Sequence, residues 1–297
     1  MKALLAVLLL SLSLSSQVLA LEVTDQRGKL VTLAKPPQRI VSLLPSLTES
    51  VCALGACQRL VGVDRYSNFP ASVRRLPQVG GGLDPNIEAI AALRPDLVLL
   101  SGSTRAAEQL QALGIAVLAL EPQTSADVPR VLAALGTVLG VPDAQRVWRE
   151  IQAGLAEAER SVPPGIKGVR VYFEVSDDPY AAGTASFMGE TLARLGAHNI
   201  IGPELGPFPK INPEWVVRAR PDVIMISQRS VHGLQRRPGW AALPAVRENR
   251  VCVFTPAQSD VLVRPGPRMA EAARIMAQCL RDKAPPQPAA SPGGKLP

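Results

Sequence analysis

The chain has 297 residues, 47% of them hydrophobic and 19% charged, with a formal charge of +7. That balance suits a folded chain of about two domains and excludes wholesale disorder. Lys2, Lys283 and Lys295 lie near the ends and leave +4 on the body, where no dense Lys/Arg stripe with interleaved aromatics argues for nucleic acid.

Residues 1–20 read as an export signal. Met1-Lys2 supplies a positive start, 3–14 an apolar stretch broken only by Ser11 and Ser13, and Val18-Leu19-Ala20 a small-x-small cleavage pattern. Cleavage is expected after Ala20. The apolar run is too short to span a bilayer comfortably. No Cys follows the cleavage site to take a lipid anchor, so the mature chain is expected to be soluble and exported.

The body alternates strand and helix patterns. In the first half, strands are expected over 39–44, 97–100 and 116–120. Helices are expected over 48–54, from the N-cap Asn86 through Leu93, and over 106–113. The apolar run 97–100 suits a strand buried on both faces of a parallel sheet. Residues 143–161 contain no Pro and a single glycine, Gly154. Val147, Ile151 and Leu155 recur there at i, i+4 and i+8. One long helix, roughly 28 Å at 1.5 Å per residue, is expected to cross between the halves. The second half opens with a strand over 169–175 and a helix over 187–195, and closes with a strand over 251–254 and a helix over 268–281. The stretch 283–297 has five prolines and reads as a disordered tail.

The halves echo each other. Residues 86–101 and 212–227 share Asn, Glu, Arg, Pro, Asp and Ser at a constant offset of 126. A weaker echo relates Glu49 to Glu190, each followed after four residues by Leu-Gly-Ala, at an offset of 141. The fold class expected is α/β: two doubly wound lobes with mainly parallel sheets, joined by one long backbone helix. The expected limits are 21–141 for the first lobe, 142–162 for the linking helix and 163–282 for the second lobe.

Export makes the four cysteines candidates for disulfides, with three possible pairings. Cys52 with Cys57 and Cys252 with Cys279, one bond per half, is the favoured pattern; four buried thiols are the alternative. A metal site is not expected, because the C-x4-C pair has no second compact pair and His198 and His232 are 34 residues apart. Phosphate-loop and nucleophile-elbow motifs are missing. Asp177-Asp178 before Pro179 is explained by a turn. No catalytic residue stands out, and no enzyme activity is expected.

What remains is a cleft between lobes, lined by loops at the carboxyl ends of the strands. Those loops carry Tyr66, Ser67, Gly80 to Gly82, Ser101, Tyr180, Phe208, Asp260, Arg264 and Arg268. For any one of them, packing explains the residue about as well as ligand contact does.

Four segments then show a resemblance: RIVSLLPSLTE at 39–49, VGVDRYSNFP at 61–70, the two RPD copies at 94–96 and 220–222, and RPGPR at 264–268. Over about 39–280 the chain resembles the periplasmic substrate-binding proteins of ABC importers for cobalamin, haem and iron-siderophores, and is most similar to the cobalamin-binding branch. The resemblance implies a non-enzymatic, monomeric receptor that takes a corrinoid in the cleft and needs no cofactor of its own. It also implies a dimeric membrane permease as partner; the single linking helix is expected to allow only small lobe movements on binding. Tyr66, Phe208, Asp260 and Arg264 match ligand-facing positions of that branch, and Tyr180 lies near another. Gly82 and Ser101 stand where a close relative would have tryptophans, which makes the pocket more open. Haem, with Tyr66 or Tyr180 as axial ligand, or an iron chelate is the alternative cargo; a metal-dependent enzyme on the same fold is a more distant one. Glu88 and Glu214 match the acidic residues that dock on permease arginines. Two equivalent carboxylates suit a symmetric partner. The helix dipole alone would also favour an acid in each first turn.

Overall fold

The computed structural model describes residues 20–102, 105–176 and 179–286. The leader before Ala20, the Asp177-Asp178 turn and the tail from residue 287 lie outside the described residues. A hairpin comes first, β1 (Leu21–Thr24) antiparallel to β2 (Leu30–Leu33). Then follow β3 (Ile40–Ser42), α1 (Pro45–Ala53), β4 (Leu60–Val63), α2 (Ile87–Ala92), β5 (Leu97–Leu100), α3 (Ala106–Ala112) and β6 (Val117–Ala119). Their strands form a parallel sheet in the order β4-β3-β5-β6.

Two helices, α4 (Asp127–Leu139) and α5 (Gln145–Arg160), separate this sheet from the next. The second group is β7 (Arg170–Phe173), α6 (Phe187–Arg194), β8 (His198–Asn199), α7 (Pro213–Ala219), β9 (Val223–Ser227), α8 (Pro244–Arg247), β10 (Val251–Phe254), α9 (Pro256–Leu262) and α10 (Met269–Lys283). Its parallel sheet runs β10-β9-β7-β8. Taken in chain order, both sheets have the same winding: the second strand lies outside the first on one side, and the third and fourth lie on the other. The 126-residue echo is therefore α2–β5 against α7–β9, the same helix and strand of each lobe.

The Arg-Pro-Asp copies show why the motif repeats. Arg94 and Arg220 take left-handed backbone angles, φ 47° and 45°, after α2 and α7. The proline bars any return to helix at the residue before it. The aspartate then ties back to the start of the first strand of its lobe. Asp96 accepts the amide N–H of Gln38 and Arg39 at 2.8 and 3.0 Å, and Asp222 accepts that of Arg170 at 2.9 Å. Each motif thus ends a helix and sets the register of a buried strand.

α5 turns Val147, Ile151, Leu155 and Ala158 inward, against α4 and α10. Gly154 lets α10 come close: a Cβ there would lie 2.5 Å from the Ala270 Cβ. One continuous apolar cluster runs from Leu47 and Leu97 through α4 and α5 to Val171, Met225 and α10. The lobes therefore share this cluster, while each also keeps one of its own, around Val98 and Leu100 in the first lobe and around Ile224 and Trp240 in the second. Cys52–Cys57 closes the loop after α1, and Cys252–Cys279 ties β10 to α10. Among the described residues, no helix is long and apolar enough to cross a membrane.

Candidate functional site

Parallel strands deliver all their carboxyl ends to one edge of a sheet, and ligands collect there, where the winding reverses. Both sheets aim these ends at one cleft. Its first cavity, about 480 Å3, is walled by the start of α1 after β3, by Tyr66 after β4 and by Glu121 after β6. From the second lobe come Phe187 and Phe208, and Asp260 to Pro265 around the end of α9. A second chamber of about 460 Å3 adjoins it through Asp260 and Val263. This one is walled by Ser176 beyond β7 and by 227–229 at the end of β9.

Tyr66 and Phe208 keep 59% and 37% of their surface exposed, enough to present ring faces to a ligand. Phe208 meets Phe187 edge-on, with centroids 6.2 Å apart. Tyr66 stands on a buried polar platform. Its amide donates to Asp64 at 2.9 Å, and Asp64 also accepts the Ser67 hydroxyl. Thr48 links Ser67 to Ser42 behind it, at 2.8 Å on each side. Burial pushes the Asp64 carboxyl above its ordinary 3.8, although Ser67, the Tyr66 amide and Arg264 pull it down.

Behind the cavity the lobes are clasped. Glu49, 2% exposed at its side chain, receives Arg264 at 3.0 Å and Arg268 at 2.7 and 2.9 Å. Arg264 also donates to Asn68 Oδ1 at 2.8 Å and to the Tyr66 carbonyl at 2.9 Å, and pairs with Asp260 at 3.2 Å. Asn68 in turn donates to Asp260 at 2.7 Å. The Arg268 guanidinium lies 4.3 Å from the Phe69 ring centroid. A second carboxylate crosses the other way: Glu190 of α6 accepts the Ser125 amide of the first lobe at 2.8 Å. Glu49 and Glu190 are the pair of the weaker echo, and in both copies the glutamate reaches the opposite lobe.

Of the residues expected from sequence, Tyr66, Phe208, Asp260 and Arg264 meet at the first cavity, Arg264 with its donors committed to the clasp. Gly82, Ser101 and Tyr180 are not among the residues lining it. A Cβ on Gly82 would stand 2.9 Å from the Leu43 carbonyl, so the chain passes close there. Ser101 is buried and donates to the Glu121 carboxylate. Tyr180 faces Lys210 across an isolated bridge, with the ammonium 5.9 Å from its ring centroid. Glu88 and Glu214 are exposed in the first turns of α2 and α7, behind the caps Asn86 and Asn212. Sequence reasoning missed Glu121, Asn68 and the role of Glu49. Glu49 carried a signal in its echo at Glu190, and Asn68 in the segment VGVDRYSNFP.

A family model described as periplasmic binding protein matches residues 40–257. An uncharacterized ABC transporter substrate-binding lipoprotein of Bacillus subtilis is 30% identical over 277 residues, covering 89% of this chain and 87% of its own. The vitamin B12-binding protein of Pectobacterium atrosepticum is 29% identical over 258 residues, covering 83% and 89%. The solved periplasmic heme-binding protein RhuT of Roseiflexus sp. RS-1, in apo form, aligns with a TM-score of 0.73 at 26% identity, over 84% of this chain and 99% of its own. The matched region takes in both parallel sheets and the helix between them, and the chain belongs to the periplasmic binding protein family.

Proposed function

We propose that this chain is the exported, soluble receptor of an ABC importer, cleaved after Ala20, and that it captures a corrinoid between its lobes and hands it over unchanged. The observation that carries this reading is the cleft itself. Exposed ring faces of Tyr66 and Phe208, with Val263, line a cavity whose polar edge includes Asp260. Flat apolar faces suit the face of a macrocycle, and a carboxylate suits the N–H groups of peripheral amides. The vitamin B12-binding relative supports the same ligand class. Delivery needs a partner, and Glu88 and Glu214 occupy equivalent, exposed places on the two lobes. They suit the basic residues of a two-fold permease docking a single receptor.

Haem is the second reading. It is favoured by the exposed Tyr66 ring at the cavity wall and by the heme-binding structural relative. Titration with cyanocobalamin, dicyanocobinamide and haemin, followed by calorimetry and visible absorbance, separates the two. One-to-one corrinoid binding that weakens in Phe208→Ala supports the proposal. Haemin binding with a tyrosinate spectrum, lost in Tyr66→Phe, moves the cargo to haem. Silence from all three probes removes both.

A further inference from the structure

The first cavity has an acidic wall. Glu121 follows β6 and lines the cavity, half-buried. Ser101 ends the run of the neighbouring strand β5, is buried, and donates its hydroxyl to one Glu121 oxygen. That bond fixes the carboxylate on the frame of the sheet rather than leaving it to swing on a loop. Asp260 brings a second carboxylate from the other lobe. Among the described residues, one guanidinium stands against them in the lining, Arg264. Its terminal nitrogens donate to Glu49, Asn68 and the Tyr66 carbonyl and pair with Asp260. Arg229, the cation among the cleft-lining residues beyond these, belongs to the second chamber. A ligand edge lying against Glu121 therefore meets acceptors and negative charge in a partly enclosed, low-dielectric space.

We infer that Glu121, anchored by Ser101, is a specificity-determining residue of the cleft. It accepts hydrogen bonds from amide, hydroxyl or ammonium groups on the ligand's edge and turns away ligands whose edge carries carboxylates. Discrimination of this kind comes from an unfavourable contact with the wrong ligand as much as from a favourable one with the right ligand. The inference rests on the cleft being the ligand site, as proposed above, and it deepens that reading by naming the ligand's edge chemistry.

The test uses two matched pairs of probes on the full mature protein and on Glu121→Gln. One pair is dicyanocobinamide, with an amide edge, and dicyanocobyrinic acid, with a carboxylate edge. The other is haemin dimethyl ester and haemin. The wild type is expected to bind the uncharged-edge member at least about tenfold more tightly in whichever pair it accepts. In Glu121→Gln that ratio shrinks by about threefold or more, mainly because the carboxylate member binds better. An unchanged ratio, or a wild type that favours carboxylates, overturns the inference and leaves the corrinoid reading standing if cobinamide binds. Binding confined to the porphyrin pair sinks the corrinoid reading, while a ratio that shrinks in the variant keeps Glu121 as the selector. No binding of any probe overturns both. Should Glu121→Gln fail to fold, the ratio is read in Ser101→Ala, where the Glu121 carboxylate loses its anchor. A ratio that shrinks supports the inference, and an unchanged ratio refutes it.

Discussion

Replacing Glu49 with glutamine removes the one carboxylate shared by two buried guanidiniums. The side chains of Glu49, Arg264 and Arg268 are 2%, 7% and 12% exposed, so water does not readily replace the lost partner. Breaking a buried pair by deleting one member costs about 3–5 kcal/mol, most of it the stranded charge. Here Arg264 keeps Asn68, Asp260 and the Tyr66 carbonyl, and Arg268 keeps the Phe69 ring and Glu271 at 4.0 Å. The loss is therefore expected near the lower end, about 3 kcal/mol. At about 2–4 °C per kcal/mol for a chain of this size, the melting temperature falls by roughly 6–12 °C. Arg268→Met costs less, because Glu49 keeps Arg264. The double variant returns a coupling of about 1–3 kcal/mol. Urea unfolding with disulfides intact reads the energies, and small-angle scattering reads whether the lobes drift apart. A loss below about 1 kcal/mol with unchanged scattering refutes the view that Glu49 fastens the lobes.

Glu88→Gln and Glu214→Gln should each lower uptake by cells carrying the cognate permease, and the double variant should abolish it, with ligand titrations unchanged throughout. Equal uptake by all three would remove docking from these residues. For Asp64, the folded carboxyl lies above 3.8, with burial as the main cause, so the native state holds its proton more tightly than the unfolded chain. The sign follows: this group's contribution to stability falls as pH rises from about 3.8 through its folded value, then stays constant. The difference in urea midpoint between Asp64→Asn and the wild type should move in the variant's favour across that window, and a flat difference contradicts the assignment. Gly154→Ala places a Cβ 2.5 Å from Ala270, so α5 and α10 must separate locally. Overpacking costs about 1–3 kcal/mol against a helix gain of about 1. A variant that melts above the wild type would show that the helices yield freely.

Legibility followed burial. β5 and β10 match the expected spans residue for residue, because an apolar run with polar ends has few other readings. α5 announced itself by its inward stripe of Val147, Ile151 and Leu155. The hairpin β1–β2 went unread: four-residue strands with one exposed face leave too short an alternation to detect. β8, two residues long, leaves almost none. At the cleft, Tyr66 was legible as a strand-end loop residue, since parallel winding gathers such loops; Asp260, expected on a loop, sits in helix α9, and Arg264 just after it. The partner of Arg264 was not, because Glu49 lies 215 residues away and no spacing rule spans that distance. Ser101 was expected at the ligand; in the fold it backs Glu121, a relation set by strands β5 and β6 lying side by side.

The crossed carboxylates Glu49 and Glu190 change the mechanics of the cleft. Two bodies linked by one helix can swing about it like a door. Fastened also through Glu49 and Glu190, once from each lobe, they are expected to act as a clamp set at a nearly fixed gap. A clamp of that kind takes its cargo by fit and sacrifices little affinity to closing. The same stiffness opposes release, so the force that parts the jaws has to come from whatever grips the two lobes from outside.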